Sequence, residues 1–366
     1  MIRYYTRVCN FYYGKESKQL IDKKKSLPLN GNKEISFDHI EIISRNSKRI
    51  IPLSKVNNLS KLLKKQIISD LKKVTLKKKN FANLNFLKIP NIMGVLNLTP
   101  DSFSDGGKFN TKRKGSKQAL EMFQSGANII DLGGESTRPG SISVDKDLEW
   151  KRIEKILRSI SKKIPISLDT RKSEIMKKGI NYGVKIINDV SGLSYDSETI
   201  NILKKYKIPF VVQHSQGLPD NMQNNPYYKN VLLDIYDFFE EKIKFLRSIG
   251  INHNNIIIDP GIGFGKKLKH NITLIKNVSI FHTLGFPILI GNSRKKFIRE
   301  ISKKNDTNNR IGGTVASSIY LMMQGVQILR VHDVNELLQG VKVFNRLIKN
   351  WWKKNILELM ESEVLL

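Results

Sequence analysis

Cysteine is almost absent from this chain, because Cys9 is the single one among 366 residues. A lone cysteine excludes a disulfide scaffold and a cysteine-based zinc module, and it is typical of a reducing cytoplasm. No apolar run approaches the roughly 18 residues that a membrane-spanning helix needs. The aromatic N-terminus also lacks the apolar segment of a signal peptide. We therefore expect a cytoplasmic protein with no membrane partner.

Acidic residues are scarce too, since 33 Asp and Glu against 63 Lys and Arg give a formal net charge of +30. Residues 1–90 hold 21 of the basic residues and only 6 of the acidic ones, so they carry half of the excess. Arginine, the residue that phosphate and base contacts favour, supplies only 15 of the 63. We interpret the excess lysine as compositional and expect no nucleic-acid partner. With 40% hydrophobic residues, a packed core is expected rather than a disordered chain.

Motifs of several common sites are missing. No G-x-G-x-x-G nucleotide fingerprint follows the first strand predicted after residue 90. The segment PGIGFGKK is not a P-loop, because only three residues separate Gly261 from Gly265 and Lys267 stands where Ser or Thr is required. The six histidines lack the paired spacing of zinc ligands.

From Pro90 onward, eight short β-branched runs alternate with longer amphipathic segments. The runs are NIMGVLNL, ANIIDLGG, IPISLDT, VKIINDVSG, IPFVVQH, NIIIDPG, FPILIGN and VQILRVHD. One helical segment, residues 147–160, carries an apolar stripe of Ile153, Ile156, Leu157 and Ile160. Buried strands alternating with helices indicate a parallel sheet, and eight units in about 260 residues match a (β/α)8 TIM barrel. An open doubly wound sheet is the competing α/β architecture, and the missing fingerprint argues against it.

The first 88 residues have a different pattern, which predicts a small N-terminal α+β extension of unknown role. Residues 35–51 are rich in β-branched side chains and predict two short strands, and residues 56–74 have apolar side chains at helical spacing. We divide the chain into this extension, a barrel at residues 89–352 and a C-terminal tail at residues 353–366.

Polar residues follow nearly every predicted barrel strand, at the end where barrel enzymes carry their active sites. They are Asn97, Asp131, Asp169, Thr170, Asn188, Asp189, His214, Asp259, Asn292, Arg330, His332 and Asp333. Each alone is explained by a strand-end hydrogen bond, but burying so many without a ligand would cost ~1–3 kcal/mol per unsatisfied group. Two long Gly-, Ser- and Pro-containing loops, residues 97–107 and 133–140, follow the first two strands. The pattern predicts a polar small-molecule site covered by loops.

The segments NIMGVLNLTPDSFSDGG and IIDLGGESTRPG resemble the paired signatures of the dihydropteroate synthase family. The resemblance continues through ISLDTRK, IINDVSG, IIIDPGIGFGK, GNSRKKFI and RVHDV, over residues 90–350. It implies a transferase of folate biosynthesis that joins (7,8-dihydropterin-6-yl)methyl diphosphate to 4-aminobenzoate and releases diphosphate. It also implies Mg²⁺ and a homodimer.

By motif match, the resemblance assigns residues to three groups around the substrates. Asp169, Asn188, Asp259 and Lys295 would bind the pterin; Asn97 would meet magnesium and the diphosphate; Thr137, Arg138, Arg330 and His332 would bind the diphosphate; and Phe103, Pro139 and Ser293 would lie near the 4-aminobenzoate. A carboxylate suits the amidine-like edge of a pterin, because it accepts two hydrogen bonds. We predict a dissociative displacement in which Asp101, Arg138 and Lys295 act catalytically, Asp101 by stabilising the pterin-methyl cation.

The chain departs from the family after the fifth barrel strand. The family usually reads His-Met-x-Gly, whereas this chain has Gln213 before His214 and Ser215 at the methionine position. This substitution affects the predicted shape of the pterin pocket rather than the reaction. Two rival functions are a methyltransferase acting on methyltetrahydrofolate with a corrinoid partner, and a regulatory or nucleic-acid-binding protein on a retired enzyme scaffold. The first rival has no use for Arg138, Arg330 and His332 as a diphosphate clamp.

Overall fold

The structure, a computed structural model, describes residues 2–99, 112–136, 141, 143–217, 222, 225–303 and 306–362. Eight parallel strands run through the described part of the chain after residue 90. They are β5 (Asn91–Asn97), β6 (Ile129–Gly133), β7 (Ile166–Asp169), β8 (Ile186–Asp189), β9 (Phe210–Gln213), β10 (Ile256–Asp259), β11 (Leu289–Ile290) and β12 (Ile328–Val331). Each lies within one of the eight predicted runs.

The eight strands close on themselves. Their order in the sheet is β10-β9-β8-β7-β6-β5-β12-β11, so strands that are adjacent in sequence are adjacent in space. A parallel bridge between Ile258 and Ile288 joins the two ends of this order. The result is a nearly closed (β/α)8 barrel, which confirms the predicted fold class.

Helices connect the barrel strands. They are α3 (Lys112–Gln124), α4 (Lys146–Ile160), α5 (Ser173–Asn181), α6 (Thr199–Tyr206), α7 (Val231–Ser248), α8 (Leu268–Lys276), α9 (Lys296–Ser302), α10 (Ile311–Met323) and α11 (Val334–Ser362). Helix α4 begins after Asp145, whose side chain accepts a 2.8 Å hydrogen bond from the Asp147 N–H. Its predicted apolar stripe is buried, from Ile153 to Ile160. In the described ranges, no helix is both long and apolar enough to cross a membrane.

The barrel interior changes from apolar to polar along the strands. Its first layer is a fully buried cluster of Met93, Ile129, Ile186, Val211, Ile257, Leu289 and Ile328, which Leu84 and Phe86 join from the segment before β5. Side chains alternate along a strand, so the residue two positions further on points the same way. In five strands that residue is polar: Asp131, Asn188, Gln213, Asp259 and Arg330. The period of two therefore places a polar layer at the carboxyl end of the barrel.

The N-terminal part is an antiparallel sheet with two helices. Its elements are β1 (Tyr5–Tyr13), α1 (Gly14–Asp22), β2 (Leu27–Leu29), β3 (Asn32–Ile43), β4 (Lys48–Pro52) and α2 (Lys61–Thr75). Strand β3 pairs with each of the other three strands. The predicted α+β extension and its two strands in residues 35–51 are confirmed. The predicted helix at residues 56–74 is shorter, because the 3₁₀ turn Leu53–Asn58 ends before Ser60, the N-cap of α2.

The N-terminal sheet packs on the barrel through α7 and the 3₁₀ segment Val278–Leu284. The buried Tyr5 hydroxyl donates to Asp237 over 2.9 Å. Arg45 donates to Asp234 and to Asp237, both over 2.7 Å. These contacts attach the extension to the outside of the barrel. The division of the chain at residues 88 and 352 stays a prediction.

Candidate active site

Arg330 occupies the centre of the polar layer and joins two carboxylates. Its Nε donates to Oδ2 of Asp131, and its Nη2 donates to Oδ2 of Asp169, each over 2.6 Å. Asn188 Nδ2 donates to the same oxygen of Asp131 over 2.9 Å. Charge-assisted hydrogen bonds of this length hold side chains firmly. Four strand ends, those of β6, β7, β8 and β12, are thereby joined in one floor.

Three oxygen atoms of this floor remain available to accept hydrogen bonds from a ligand. Asp131 Oδ1, Asp169 Oδ1 and Asn188 Oδ1 are buried, and none of them accepts a hydrogen bond within the described part of the chain. Leaving one such group unsatisfied costs about 1–3 kcal/mol. A ligand with several N–H donors on one edge would satisfy them.

Asp259 adds a further carboxylate on a glycine-dependent turn. Its side chain is buried, and Oδ1 accepts a 2.8 Å hydrogen bond from the Gly261 N–H. Gly261 has a φ of +70°, and a Cβ there would lie 2.0 Å from the carbonyl oxygen of His214. Only glycine fits such a position. The turn therefore fixes the Asp259 carboxylate at the carboxyl end of β10.

Burial shifts the protonation of these carboxylates toward the neutral form. The pKa of Asp169 is raised by burial, lowered in part by Arg330 and raised again by Asp131. The pKa of Asp259 is raised to about 6 by burial, against the opposing effects of the Gly261 N–H, Lys295, Lys266 and Arg330. Carboxyl groups that titrate close to neutral pH in a cleft are typical of functional sites.

A cavity of about 580 Å³ opens above the floor, a volume that suits a small organic substrate. Its lining includes Asn97, Phe264, Ser293, Lys295, Arg330 and His332. The Lys295 ammonium lies 4.1 Å from the centre of the Phe264 ring, a cation–π distance. The cavity thus combines an apolar wall with cationic groups.

Ser293 and His332 join the ends of β11 and β12. The His332 N–H donates to Ser293 Oγ over 3.2 Å, and His332 Nδ1 lies 3.1 Å from the same oxygen. Burial, with Arg330 and Arg294 nearby, lowers the pKa of His332 to about 3. The imidazole is therefore neutral at pH 7 and contributes hydrogen bonds rather than charge.

The residues that line the cavity offer few ligands for magnesium, so a bound ion would also need oxygen atoms from a phosphate group of the substrate. In the described ranges, no group of three His, Cys, Asp or Glu residues can hold a metal ion. Asn97, whose side chain has one amide oxygen, is among the residues that line the cavity. Mg²⁺ usually keeps few protein ligands and takes substrate phosphate oxygens and water as the others. Asn97 fits such a site, although magnesium itself stays a prediction.

Eight of the predicted site residues lie together at the carboxyl end of the barrel. They are Asn97, Asp169, Asn188, Asp259, Ser293, Lys295, Arg330 and His332. Asp101, Phe103, Thr137, Arg138 and Pro139 lie outside the described residues. The individual roles of all thirteen stay predictions.

Sequence reasoning missed three contributors to this site. Asp131 was noted only as a polar strand end, yet it accepts from both Arg330 and Asn188. Lys266 is buried, lines the cavity and donates to the carbonyl oxygen of Phe264 over 2.8 Å. Met222 is buried against Val190 and Phe264, and its sulfur lies 4.0 Å from Ser215 Oγ. The strand period could have found Asp131, whereas a methionine in the loop after β9 has no such signal.

A barrel with a polar floor, a cationic rim and a cavity of this size defines an enzyme that acts on a polar small molecule. The family model of pterin binding enzymes matches residues 93–332. The dihydropteroate synthase of Synechocystis sp. is 40% identical over 258 residues, which cover 70% of this chain and 89% of the relative.

Solved structures agree with the sequence relatives. The Yersinia pestis dihydropteroate synthase in a sulfonamide drug complex has 36% identity and a TM-score of 0.68, covering 72% of this chain and 95% of that one. The Xanthomonas albilineans enzyme in complex with 7,8-dihydropteroate has 30% identity and a TM-score of 0.65, covering 72% and 95%. The chain belongs to the pterin binding enzymes. Its activity is that of a dihydropteroate synthase, a transferase.

Proposed function

We propose that this barrel joins (7,8-dihydropterin-6-yl)methyl diphosphate to 4-aminobenzoate, giving 7,8-dihydropteroate and diphosphate. The observation that carries the proposal is the floor of Asp131, Asp169 and Asn188 around Arg330, which has three buried acceptor oxygens without a partner among the described residues. The related Xanthomonas albilineans enzyme was solved with 7,8-dihydropteroate, the product of this reaction.

The pterin ring is held by groups that match its edges. The ionised Asp259 accepts hydrogen bonds from the amidine-like edge, and Asn188 offers its free amide oxygen to a ring N–H. Lys295 donates to the ring carbonyl and N5, while Phe264 beneath it supplies an apolar face. A planar, polar heterocycle fits both the hydrogen-bonding groups and the apolar face of this pocket.

The diphosphate lies at the cationic rim of the cavity. Arg330 and the neutral His332 donate hydrogen bonds to its oxygens, together with Thr137 and Arg138 from the loop after β6. Asn97 would be the protein ligand of Mg²⁺, and the bound ion would neutralise negative charge on the leaving group. Positioned donors that act on a developing charge supply much of the catalysis in such transfers.

The reaction is a dissociative displacement at the pterin methylene carbon. The C–O bond breaks first and diphosphate leaves with the bonding electrons. Asp101 stabilises the resulting pterin-methyl cation. The 4-aminobenzoate amine, held near Phe103, Pro139 and Ser293, then forms the C–N bond and loses a proton. No protein nucleophile is required.

We also propose a homodimer in the cytoplasm. Exposed apolar side chains on the last three helices support an interface between copies: Ile301 on α9, Tyr320 on α10, and Val343 and Leu347 on α11. The single cysteine supports the compartment. Sedimentation of the purified protein tests the assembly, and a monomer at micromolar concentration would contradict it.

One assay tests the reaction. Purified protein is incubated with the dihydropterin diphosphate, 4-aminobenzoate and Mg²⁺, and dihydropteroate is measured. We expect product with the wild type, and we expect Asp101→Asn to lower turnover far more than pterin affinity. A folded wild-type protein without product would favour a retired scaffold. An unchanged rate in Asp101→Asn would exclude the proposed role of that carboxylate.

A further inference from the structure

We propose that Gln213 is a specificity-determining residue that accepts a hydrogen bond from the exocyclic amino group of the pterin. The residue ends β9, at a position where the chain departs from its family, and it has no role in the reaction described above. The inference rests on the proposed function, because it takes a pterin to bind beside Asp259. Its physical basis is a buried amide with an unused acceptor in the polar layer of the barrel.

The first observation is the place of Gln213 in the barrel. The residue is 3% exposed, and it is the partner of Asp259 in the register of β9 and β10. Val211 and Ile257, which precede these two residues by two positions, both belong to the apolar first layer of the barrel interior. Because side chains alternate along a strand, Gln213 and Asp259 both point inward. They are neighbours in the polar layer.

The second observation is the course of the side chain. A Cβ at Gly261, whose N–H donates to the Asp259 carboxylate, would lie 3.4 Å from Gln213 Cγ. At its far end, Gln213 Nε2 donates to the carbonyl oxygen of Val190 over 3.4 Å. Val190 follows β8, the strand that carries Asn188. The side chain therefore reaches from the turn after β10 to the segment after β8, and the strands at both ends carry proposed pterin ligands.

The third observation is the unused hydrogen-bonding capacity of this amide. An amide has two N–H donors and an oxygen with two lone pairs. The contact with Val190 uses one donor, at a length near the limit for a hydrogen bond. Gln213 Oε1 accepts no hydrogen bond in the described part of the chain, and it is not among the fully enclosed oxygens, which include Asn188 Oδ1. A ligand can therefore reach Oε1.

The surroundings of the amide favour a ligand as its partner. Val190, which the amide contacts, forms a buried apolar cluster with Met222 and Phe264. Removing an amide from water among apolar groups is unfavourable unless new hydrogen bonds replace those that are lost. An apolar side chain of the same length would pack on Val190 without this penalty. The polar group at position 213 is therefore explained by a donor on the ligand.

The exocyclic amino group of a pterin supplies such a donor. It carries two N–H groups, and Asp259 accepts one of them together with the adjacent ring N–H, as a carboxylate does at an amidine-like edge. The second amino N–H points away from that carboxylate. Gln213 Oε1, on the neighbouring strand, accepts it. Asp259 and Gln213 together distinguish an amino-substituted pteridine from one that has hydrogen at the same carbon.

The test compares two ligands that differ only in this amino group. Wild type, Gln213→Met and Gln213→Glu are titrated by calorimetry with 6-hydroxymethylpterin and with its desamino analogue. Methionine removes the amide at nearly constant side-chain length, whereas glutamate keeps an acceptor oxygen. The matched control is Gln19→Met, at an exposed position on α1 of the N-terminal extension. Thermal melts verify that each variant is folded.

We expect Gln213→Met to weaken binding of the amino ligand about fivefold, the effect of losing one hydrogen bond, and to change binding of the desamino ligand less than about twofold. Gln213→Glu should retain the wild-type preference for the amino ligand. In the synthase assay, Gln213→Met should raise KM for the dihydropterin diphosphate by a similar factor at unchanged kcat. The reason is that the amino group lies at the opposite end of the pterin from the reacting carbon, so its contact is the same in ground state and transition state. Gln19→Met should match the wild type.

Each other outcome has a distinct meaning. Equal losses for the two ligands in Gln213→Met would overturn the inference, because a merely structural amide affects both alike, and an unchanged preference would overturn it too. If Gln213→Met does not fold, Gln213→Glu decides, since loss of the amino preference in that variant excludes the acceptor role. A folded wild type that binds neither ligand and makes no dihydropteroate refutes the proposed function itself.

Discussion

Arg330 and Asp169 form a hydrogen-bonded ion pair across the barrel mouth, with 2.6 Å between Nη2 and Oδ2. The Asp169 side chain is buried, the Arg330 side chain is 14% exposed, and the same guanidinium also donates to Asp131. Arg330→Met should cost about 3–5 kcal/mol of unfolding free energy, because it leaves two carboxyl groups without their counter-charge. Urea unfolding at pH 7 measures the loss. A variant as stable as the wild type would show that the pair is dispensable.

Asp169→Asn should behave differently from Arg330→Met. The new amide oxygen can still accept a hydrogen bond from Arg330, and Arg330 keeps Asp131 as its counter-charge. We expect a stability change below about 1 kcal/mol together with a clear loss of pterin affinity. Calorimetric titration with the pterin gives the affinity and urea unfolding gives the stability. Unchanged affinity would remove Asp169 from the pterin pocket.

The N-terminal extension should unfold together with the barrel. Tyr5 is buried, donates to Asp237, and has its ring edge-on to Tyr236 at a centroid distance of 5.3 Å. Tyr5→Ala should cost about 3–5 kcal/mol by leaving a cavity, and Tyr5→Phe about 1 kcal/mol by losing one hydrogen bond. Both variants should give one cooperative urea transition. A separate early transition would mean that the extension unfolds by itself.

His282 should make the protein sensitive to acid. The side chain is fully buried, Nε2 lies 2.8 Å from the Gln324 carbonyl oxygen, and burial lowers its pKa to about 4. The unfolded chain takes up a proton below its own pKa of about 6.5 and the folded chain does not, so stability falls as the pH drops from 6.5 toward 4.

The matching variant is His282→Gln, which keeps a donor for the carbonyl and removes the titration. Between pH 7.5 and pH 4.5 it should lose about 2.5 kcal/mol less unfolding free energy than the wild type. Urea unfolding at the two pH values measures this difference. Parallel losses in wild type and variant would assign the acid sensitivity to other groups.

Met222 should replace the methionine that position 215 lacks. Its buried side chain packs on Val190 and Phe264 next to Ser215. Met222→Ala should weaken pterin binding about tenfold, or about 1.4 kcal/mol, by opening the apolar wall. Adding Ser215→Met to that variant should restore most of the affinity. If the double variant binds no better than Met222→Ala, the two positions are not equivalent.

The architecture was largely predictable because it depends on short-range patterns. Runs such as ANIIDLGG and IPFVVQH contain β6 and β9, since β-branched residues between polar segments favour buried strands. The carboxyl-end rule for barrels then located Asp169, Asn188 and Asp259 on one rim. Strand β1 was missed, because its residues are stabilised by pairing with β3, a contact between positions far apart in sequence.

By itself, the sequence determined eight strand–helix units, the residues at the strand ends and the family, because period, composition and motifs are local properties. Only the tertiary structure decided which groups meet. Arg330 and Asp131 are 199 positions apart. Closure of the barrel places their strands, β12 and β6, on either side of β5. The same holds for Lys266 beside His214 and for Met222 beside Ser215. Electrostatic and packing energies depend on distances in space, and these exist only after the chain has closed into the barrel.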